Sequence, residues 1–242
     1  AKETERHSQL TMIKRNAKRL LNLVNQLLDF RKMEEQELQL NMSDGEIVSF
    51  IKDATDSFYD LAERKQIELT FKSAIDNLYA SYDQDKVERI LFNLLSNAFK
   101  FTPSGGKVSV ELQTLPNRTE NGKAVLELKV IDSGIGIPKD KQKKNFERFF
   151  QNETSASILN QGSGIGLSIT KEFVKMHGGE IMVESEPGVG SCFTVYLNLA
   201  CAALSEQQQK DPDDTDLANR KSDKEEKEST DKRLRTKNAP VI

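Results

Sequence analysis

The chain has 242 residues, of which 36% are hydrophobic and 30% are charged, and its formal net charge is −3. This slightly acidic balance excludes a protein that binds nucleic acid mainly through phosphate electrostatics. No run of about 18 apolar residues is present, so no membrane-spanning helix is predicted. Only two cysteines occur, which excludes a disulfide scaffold. The sequence begins with Ala1 and shows no signal peptide, so we expect a portion of a longer protein.

Residues 1–37 are predicted to contain a long amphipathic helix, from about Thr4 to Met33. Its apolar residues recur at alternating steps of three and four: Leu10, Ile13, Ala17, Leu20, Val24 and Leu27. This 3.5-residue period is typical of a helix that packs along a partner helix. No other segment of the sequence offers a matching heptad. The partner is therefore expected in sequence outside this chain, in a second copy of the chain, or in both.

Residues 38–204 are predicted to form one domain in which helices and strands alternate. A helix capped by Ser43 and Asp44 should run to Leu61, and Asp83 should open a second helix. A third helix is predicted over Ile165–Met176. The predicted strands are Ile67–Ser73, Leu78–Tyr82, Lys107–Leu115, Ala124–Ile131, Glu180–Ser185 and Ser191–Leu199. Because the last four pair as hairpins, we predict an α/β (α+β) two-layer sandwich, with a mixed sheet covered by helices on one face.

Residues 205–242 form a charged tail without aromatic side chains. Half of its residues are Asp, Glu, Lys or Arg, and few are large and apolar. Such a segment cannot bury enough surface to offset chain entropy, so we predict a disordered linker. The apolar residues at its end, Ala239–Ile242, fit either the first strand of a further domain or an unstructured terminus.

Two amides and a lysine share one face of the helix that Asp83 opens. Asn93, Asn97 and Lys100 follow one another at i, i+4 and i+7. An amide oxygen can take one position on Mg²⁺ while phosphate oxygens and water take the others, and a lysine supplies positive charge to phosphate. An ordinary exposed helix face would show the same pattern.

Two glycine-rich segments follow. Asp132–Pro138 comes directly after an apolar strand, where glycines allow a backbone to approach a flat ligand and a buried carboxylate could accept from an exocyclic amine. Gly162–Ser168 leads into a helix whose free N–H groups would suit phosphate. The first segment also fits a plain Asp-Ser-Gly turn. The second matches neither the dinucleotide fingerprint nor the P-loop.

In this order and at these separations, the segments resemble the catalytic and ATP-binding domain of sensor histidine kinases, in the gyrase, Hsp90, histidine kinase and MutL ATPase family. The resemblance covers residues 38–200. The N box is similar to Asn93–Lys100, the G1 box to Asp132–Gly136, the F box to Phe146–Phe150, the G2 box to Gly162–Gly166 and the G3 turn to Gly188–Ser191.

The resemblance implies the cofactors ATP and Mg²⁺ and a role for each matching residue. Asn97 would hold Mg²⁺ between the phosphates, Lys100 would contact phosphate, and Asp132 would accept from the adenine amine. Gly134 and Gly136 would shape the adenine pocket. The backbone of the G2 segment would wrap the phosphates, with these residues: Gly162, Ser163, Gly164, Ile165, Gly166 and Leu167.

The resemblance also implies a mobile ATP lid over residues 139–162. Within it, Arg148 could reach the γ-phosphate, while Phe149 and Phe150 would pin the lid onto the domain. Phe101 could stack beside adenine. For these three phenylalanines, simple core packing is an equally good interpretation.

Asn93 occupies the position where ATP-hydrolysing relatives carry a glutamate that deprotonates water. An amide cannot take that proton at neutral pH. The resemblance therefore favours transfer of the γ-phosphate to a protein histidine over hydrolysis, with Asn93, Lys100 and Arg148 as catalytic residues. The alternatives are a Ser/Thr kinase of the same family, a gyrase- or MutL-like ATPase, and a nucleotide-gated interaction module.

Neither histidine of the chain fits the acceptor pattern of the family. His7 is followed by Ser-Gln-Leu-Thr, and His177 ends a helix before two glycines. Residues 1–37 therefore resemble the second dimerisation helix, and the first helix, with its histidine, would lie upstream. The implied partners are that helix, a second copy of the chain, and a downstream receiver domain or response regulator, with no nucleic acid. The implied location is the cytoplasmic portion of a membrane-anchored sensor.

Overall fold

The computed structural model describes residues 38–115, 123–150 and 164–201, together with eight single residues near the N-terminus. These eight are helical and exposed, as predicted for the long N-terminal helix: Met12, Ile13, Ala17, Leu20, Leu21, Val24, Leu28 and Arg31. The predicted linker, residues 205–242, lies outside the described residues. Nowhere in the described parts of the chain is there a helix with the length and hydropathy needed to cross a membrane.

A mixed sheet of seven strands forms the centre of the domain. The strands are β1 (Ser43–Glu46), β2 (Glu68–Ser73), β3 (Tyr79–Tyr82), β4 (Lys107–Thr114), β5 (Lys123–Asp132), β6 (Glu180–Glu186) and β7 (Gly190–Cys201). Their order is β1-β3-β7-β5-β4-β2, and β6 also pairs with β7. Only β2 and β4 run parallel, while the other neighbours pair antiparallel. The predicted mixed sheet and both predicted hairpins are confirmed.

Helices cover one face of this sheet. They are α1 (Ile47–Asp56), α2 (Tyr59–Lys65), α3 (Gln84–Phe101), the short α4 (Lys139–Gln142) and α5 (Gly166–Met176). Alternate residues of β5, such as Leu126, Leu128 and Val130, lie in the single hydrophobic core under the helices. Between them, Glu127 and Lys129 form an ion pair on the opposite, polar face of the sheet. This alternation is the period-2 pattern of a half-covered strand.

The first helix begins later than predicted and is interrupted. Ser43 and Asp44 belong to β1, and the cap is Glu46, whose carboxylate accepts from the backbone N–H groups of Val48 and Ser49 at 3.0 and 2.6 Å. The prediction of a Ser43–Asp44 cap is wrong because pairing with β3 holds this segment extended. Helix α1 ends at Asp56, so the predicted single helix is two helices.

The second predicted helix begins as expected. Asp83 caps α3, and its Oδ1 accepts from the Lys86 backbone N–H at 3.0 Å. Helix α3 ends at Phe101, before Thr102 adopts an extended backbone. This helix carries the two amides and the lysine of the N box, so its position fixes the candidate site.

Candidate functional site

Helix α3 presents its polar face at the edge of the core. Asn93, Asn97 and Lys100 are all half-buried, whereas the neighbouring leucines on the other face are fully buried. The Lys100 ammonium lies 4.7 Å from the centre of the Phe101 ring. Phe101 is half-buried and does not belong to the hydrophobic core, so core packing does not explain it.

Asp132 is a buried carboxylate at the end of β5. It is 8% exposed, and its Oδ1 accepts from the Gly134 backbone N–H at 2.8 Å. Burial raises the pKa of the Asp132 carboxyl, although hydrogen bonds from the backbone N–H groups of Gly134 and Ser191 oppose the rise. A carboxylate can accept more hydrogen bonds than these two backbone N–H groups supply, so it could also accept from a ligand amine.

The loop after Asp132 lies against the end of α3. The Ile135 backbone N–H donates to the Phe101 carbonyl at 3.3 Å, and the Gly188 N–H, from the β6–β7 turn, donates to the Ile135 carbonyl at 2.8 Å. A Cβ at Gly134 would lie 2.6 Å from the Asp132 carboxylate and 2.8 Å from the Phe101 carbonyl. Only glycine permits this approach. The structure therefore joins the predicted N, G1 and G3 segments.

Next to this loop, Gly136 has a positive φ of 68° and packs against the Glu186 carbonyl, where a Cβ would lie 2.0 Å away. Gly136 thus allows the loop after Asp132 to pack against the β6–β7 turn.

The start of α5 touches the middle of α3. A Cβ at Gly166 would lie 2.5 Å from Asn93 Oδ1, and Asn93 Nδ2 donates to the Thr170 hydroxyl at 2.7 Å. Ile165 is buried, Leu167 is half-buried, and no side chain caps the helix. The helix N-terminus therefore presents backbone groups rather than side chains to a ligand. Of the predicted phosphate-binding segment, Gly164 to Leu167 are described, whereas Gly162 and Ser163 lie outside the described residues.

The F box corrects one expectation. Phe149 is 60% exposed and has a positive φ of 61°, so neither core packing nor a role in pinning a lid onto the domain fits it. Phe150 is half-buried. Phe146 performs the packing instead, because it contacts the core and its ring centre lies 6.4 Å from that of Phe193 in an edge-on arrangement.

The predicted lid is described only in its first half, residues 139–150. Arg148 is exposed, and the Phe149 backbone N–H donates to the Gly164 carbonyl at 3.0 Å. This bond joins the F box to the middle of the G2 segment. The second half of the predicted lid, residues 151–162, lies outside the described residues.

His177 serves as a structural residue. It is buried, its Nδ1 donates to the Phe173 carbonyl at 2.8 Å, and its Nε2 accepts from the Asp83 backbone N–H at 3.3 Å. Both ring nitrogens are therefore engaged, as expected for a histidine that does not accept phosphate.

The described residues contain no group of three or more His, Cys, Asp and Glu side chains that could hold a metal ion. The Asn93 amide of α3 lies at the start of α5, and an amide oxygen suits a hard cation only when phosphate oxygens and water complete its coordination. The donor set thus fits Mg²⁺ bound together with a nucleotide.

The model of one protein family matches residues 82–200, and its description is histidine kinase-, DNA gyrase B-, and HSP90-like ATPase. Residues 82–200 therefore form a domain of this family. The match begins at Tyr82, just before α3, and extends through β7, so it includes every described part of the site. The predicted family and fold class are confirmed.

Named relatives are sensor kinases. The chain is 42% identical to the sensor histidine kinase TmoS of Ectopseudomonas mendocina over 78% of this chain and 19% of that protein. It is 37% identical to the hybrid signal transduction histidine kinase D of Dictyostelium discoideum over 78% of this chain and 12% of that protein. The chain therefore spans less than a fifth of the length of these relatives.

Among solved structures, full-length ShkA in complex with AMPPNP is similar to 82% of this chain, with a TM-score of 0.68 and 26% identity. The similar region is 40% of the ShkA chain.

Three contributors to the site were not identified as such from the sequence. A polar role for Thr170 could have been predicted, because it carries a hydroxyl on the buried face of the helix, among the apolar residues Ile169 and Phe173. The Ser191 backbone N–H has no sequence signal, since it depends on the register of β5 against β7. The packing of Phe146 could not be separated from that of its neighbours by pattern alone.

Proposed function

We propose that the chain contains the ATP-binding catalytic domain of a two-component sensor histidine kinase. In this proposal it transfers the γ-phosphate of ATP to a histidine on a helix upstream of this chain. The proposal rests on α3, which touches the Asp132 loop at Phe101 and the start of α5 at Asn93. One helix thus links a buried acceptor to a glycine-rich helix N-terminus.

Adenine would bind at the Asp132 end of the site. The Asp132 carboxylate would accept from the exocyclic amine, and the close backbone approach at Gly134 and Gly136 would leave room for a flat ring. Phe101, whose ring lies near the Lys100 ammonium, would border the pocket. The complex of ShkA with AMPPNP supports a nucleotide as the ligand.

The phosphates would bind at the α5 end. Backbone N–H groups in the first turn of α5 would attract anions, as at other helix N-termini. The Asn97 amide oxygen would contact Mg²⁺, and Lys100 would supply positive charge to phosphate. Bound Mg²⁺ would neutralise charge on the transferring phosphoryl group. Gly162 and Ser163 would extend the backbone cradle of Gly164–Leu167.

Transfer rather than hydrolysis follows from the chemistry of Asn93. Its amide can orient a ligand oxygen or a water molecule, but it cannot accept a proton at neutral pH. The reaction would then depend on positioning and on charge stabilisation, with Arg148 near the γ-phosphate. The acceptor histidine would come from another part of the protein, because His177 is buried and bonded at both nitrogens and His7 lacks the family's acceptor pattern.

The proposed partners are an upstream helix, a second copy of the chain, and a receiver domain or response regulator. Apolar residues of the N-terminal helix are exposed, including Ile13, Leu20 and Leu28, as a dimerisation helix requires before it meets its partners. We infer that residues 1–37 are the second helix of such a bundle, which forms a homodimer in the full protein. Residues 205–242 would link the domain to a receiver domain, or a separate response regulator would dock. The sensor would be membrane-anchored, with this domain in the cytoplasm.

Phosphotransfer in the full protein tests the proposal. The longer reading frame, incubated with ATP labelled at the γ-phosphate, should acquire label that is stable to base and released by acid, as phosphohistidine is. Asp132→Asn should abolish the labelling, while Asp53→Asn, at an exposed position outside the site, should not. Acid-stable label would indicate a hydroxyl acceptor, label found only as inorganic phosphate would indicate an ATPase, and nucleotide binding with neither would indicate an interaction module. Each of these would contradict the proposal.

A further inference from the structure

The Asn93 amide is held at two points by α5. Its Nδ2 donates to the Thr170 hydroxyl at 2.7 Å, and a Cβ at Gly166 would lie 2.5 Å from its Oδ1 and 2.9 Å from its Nδ2. Gly166 and Thr170 are four positions apart in the sequence, so they lie one above the other on the same face of α5. The amide plane therefore packs over a bare glycine and is anchored by the next turn of the helix.

Thr170 determines which end of the amide points to the start of α5. Its side chain is almost fully buried, with 1% exposure, so water does not readily replace the contact with Asn93. An asparagine amide has a donor end and an acceptor end of nearly equal size. When the donor end is engaged by Thr170, the acceptor end lies beside Gly166, where the proposed phosphate site begins.

We propose that Thr170 is a positioning residue that orients the Asn93 amide so that Oδ1 faces the bound metal and phosphates. This inference rests on the proposed function. Without the Thr170 hydroxyl, the amide would rotate freely and would present Nδ2 to the same place for part of the time. A donor there cannot contact Mg²⁺ or accept from one of its water ligands.

Calorimetric titration with ADP, in Mg²⁺ and in a chelator, measures the affinity that the metal adds. Thr170→Val keeps the branched shape and removes only the hydroxyl, whereas Thr170→Ser keeps the hydroxyl. Because Thr170→Val removes the one hydrogen bond to Asn93, we expect it to reduce the metal-dependent gain in affinity roughly fivefold. Thr170→Ser should stay within about twofold of wild type, and metal-free ADP affinity should stay within about twofold in all three proteins.

A double-mutant cycle shows whether Thr170 acts through Asn93. In the Asn93→Ala background, Thr170→Val should have no further effect on the metal-dependent gain. A purely structural role would instead lower the metal-free affinity and the melting temperature together, and would persist in that background. Either of those results would overturn the inference.

The wild-type titration separates the two claims. If folded wild-type protein does not bind ADP, the proposed function fails and the role of Thr170 fails with it. If wild type binds ADP more tightly in Mg²⁺ and Thr170→Val shows the same gain, the assignment of Thr170 alone is contradicted.

Discussion

The Lys86 ammonium lies 2.6 Å from Asp83 Oδ2, in a buried ion pair at the N-terminus of α3. The same carboxylate accepts from the backbone N–H of Asn41 at 2.7 Å, and the Asp83 N–H donates to His177 at 3.3 Å. Burial opposes ionisation of Asp83, but hydrogen bonds from Lys86 and Asn41 outweigh it and lower the pKa of the carboxyl. One residue thus joins the segment before β1, the N-box helix and the end of α5.

We expect Asp83→Asn to lower the free energy of unfolding by about 3 kcal/mol at pH 7, because it leaves a buried lysine without its partner. The pH dependence follows from the lowered pKa. Ionised Asp83 stabilises the folded protein above the pKa of an unfolded aspartate, and this contribution is lost as the pH falls through the lower folded pKa. Urea unfolding from pH 7 into acid should therefore show the variant and wild type converging.

Asp85→Asn is the matched control for that experiment. Asp85 pairs with Arg89 on the same helix, but its side chain is 64% exposed. Exposed pairs of this kind contribute under about 1 kcal/mol. A loss at Asp83 no greater than that at Asp85 would contradict the structural role of the buried pair.

A second prediction concerns the contact between Gly166 and Asn93. In Gly166→Ala, the added methyl would lie 2.5 Å from Asn93 Oδ1, so the amide must move away. We expect a loss of affinity for ADP and Mg²⁺ of at least about tenfold, since displacing a positioned polar group costs more than 1.4 kcal/mol when its contact is lost. The measurement is calorimetric titration in Mg²⁺.

Stability separates this effect from unfolding. Alanine is the better helix former, so Gly166→Ala should keep its melting temperature close to that of wild type. Gly45→Ala is the control, because a methyl in β1 would touch only the side chains of Gln84 and Tyr82, each at 3.1 Å. Equal losses of affinity in both variants would show that the contact with Asn93 is not the cause.

A third prediction concerns the choice between transfer and hydrolysis. Asn93→Glu introduces the base of ATP-hydrolysing relatives, but glutamate is longer than the amide that packs on Gly166 and Thr170. We expect no gain in phosphate release above the wild-type rate, because the carboxylate would not lie where the amide lies. A continuous phosphate assay checks this. A clear rise in ATPase rate would show that only the base is missing.

Much of the fold follows from local patterns. The two hairpins and the helix opened by Asp83 were predictable because alternating residues and a cap residue specify them directly. The start of α1 was not, since Glu46 becomes the cap only when β1 pairs with β3, and that pairing depends on tertiary structure. Pairing with β3 outweighs the local preference of Ser43 and Asp44 for a helix cap.

The candidate site was likewise predictable from the sequence only in part. Asn93, Asn97 and Asp132 could be selected from sequence because their spacing and their glycine neighbours carry chemical meaning. Thr170 could not be assigned to Asn93, since the two are 77 residues apart and meet only when α5 packs on α3. The resemblance implied that Phe149 pins the lid, with core packing as the alternative, yet its backbone turns the side chain outward.

Calorimetric titration of this chain with ADP, with and without Asp132→Asn, tests the central claim most directly. We predict that wild type binds ADP and that Asp132→Asn weakens binding roughly 10- to 100-fold, as expected for loss of a charged hydrogen-bond acceptor. The variant should remain folded, because burial disfavours the ionised carboxylate and raises its pKa, so removing the charge relieves that cost. Unchanged ADP affinity in Asp132→Asn, or no binding by folded wild type, would contradict the assignment of this site to adenine nucleotides.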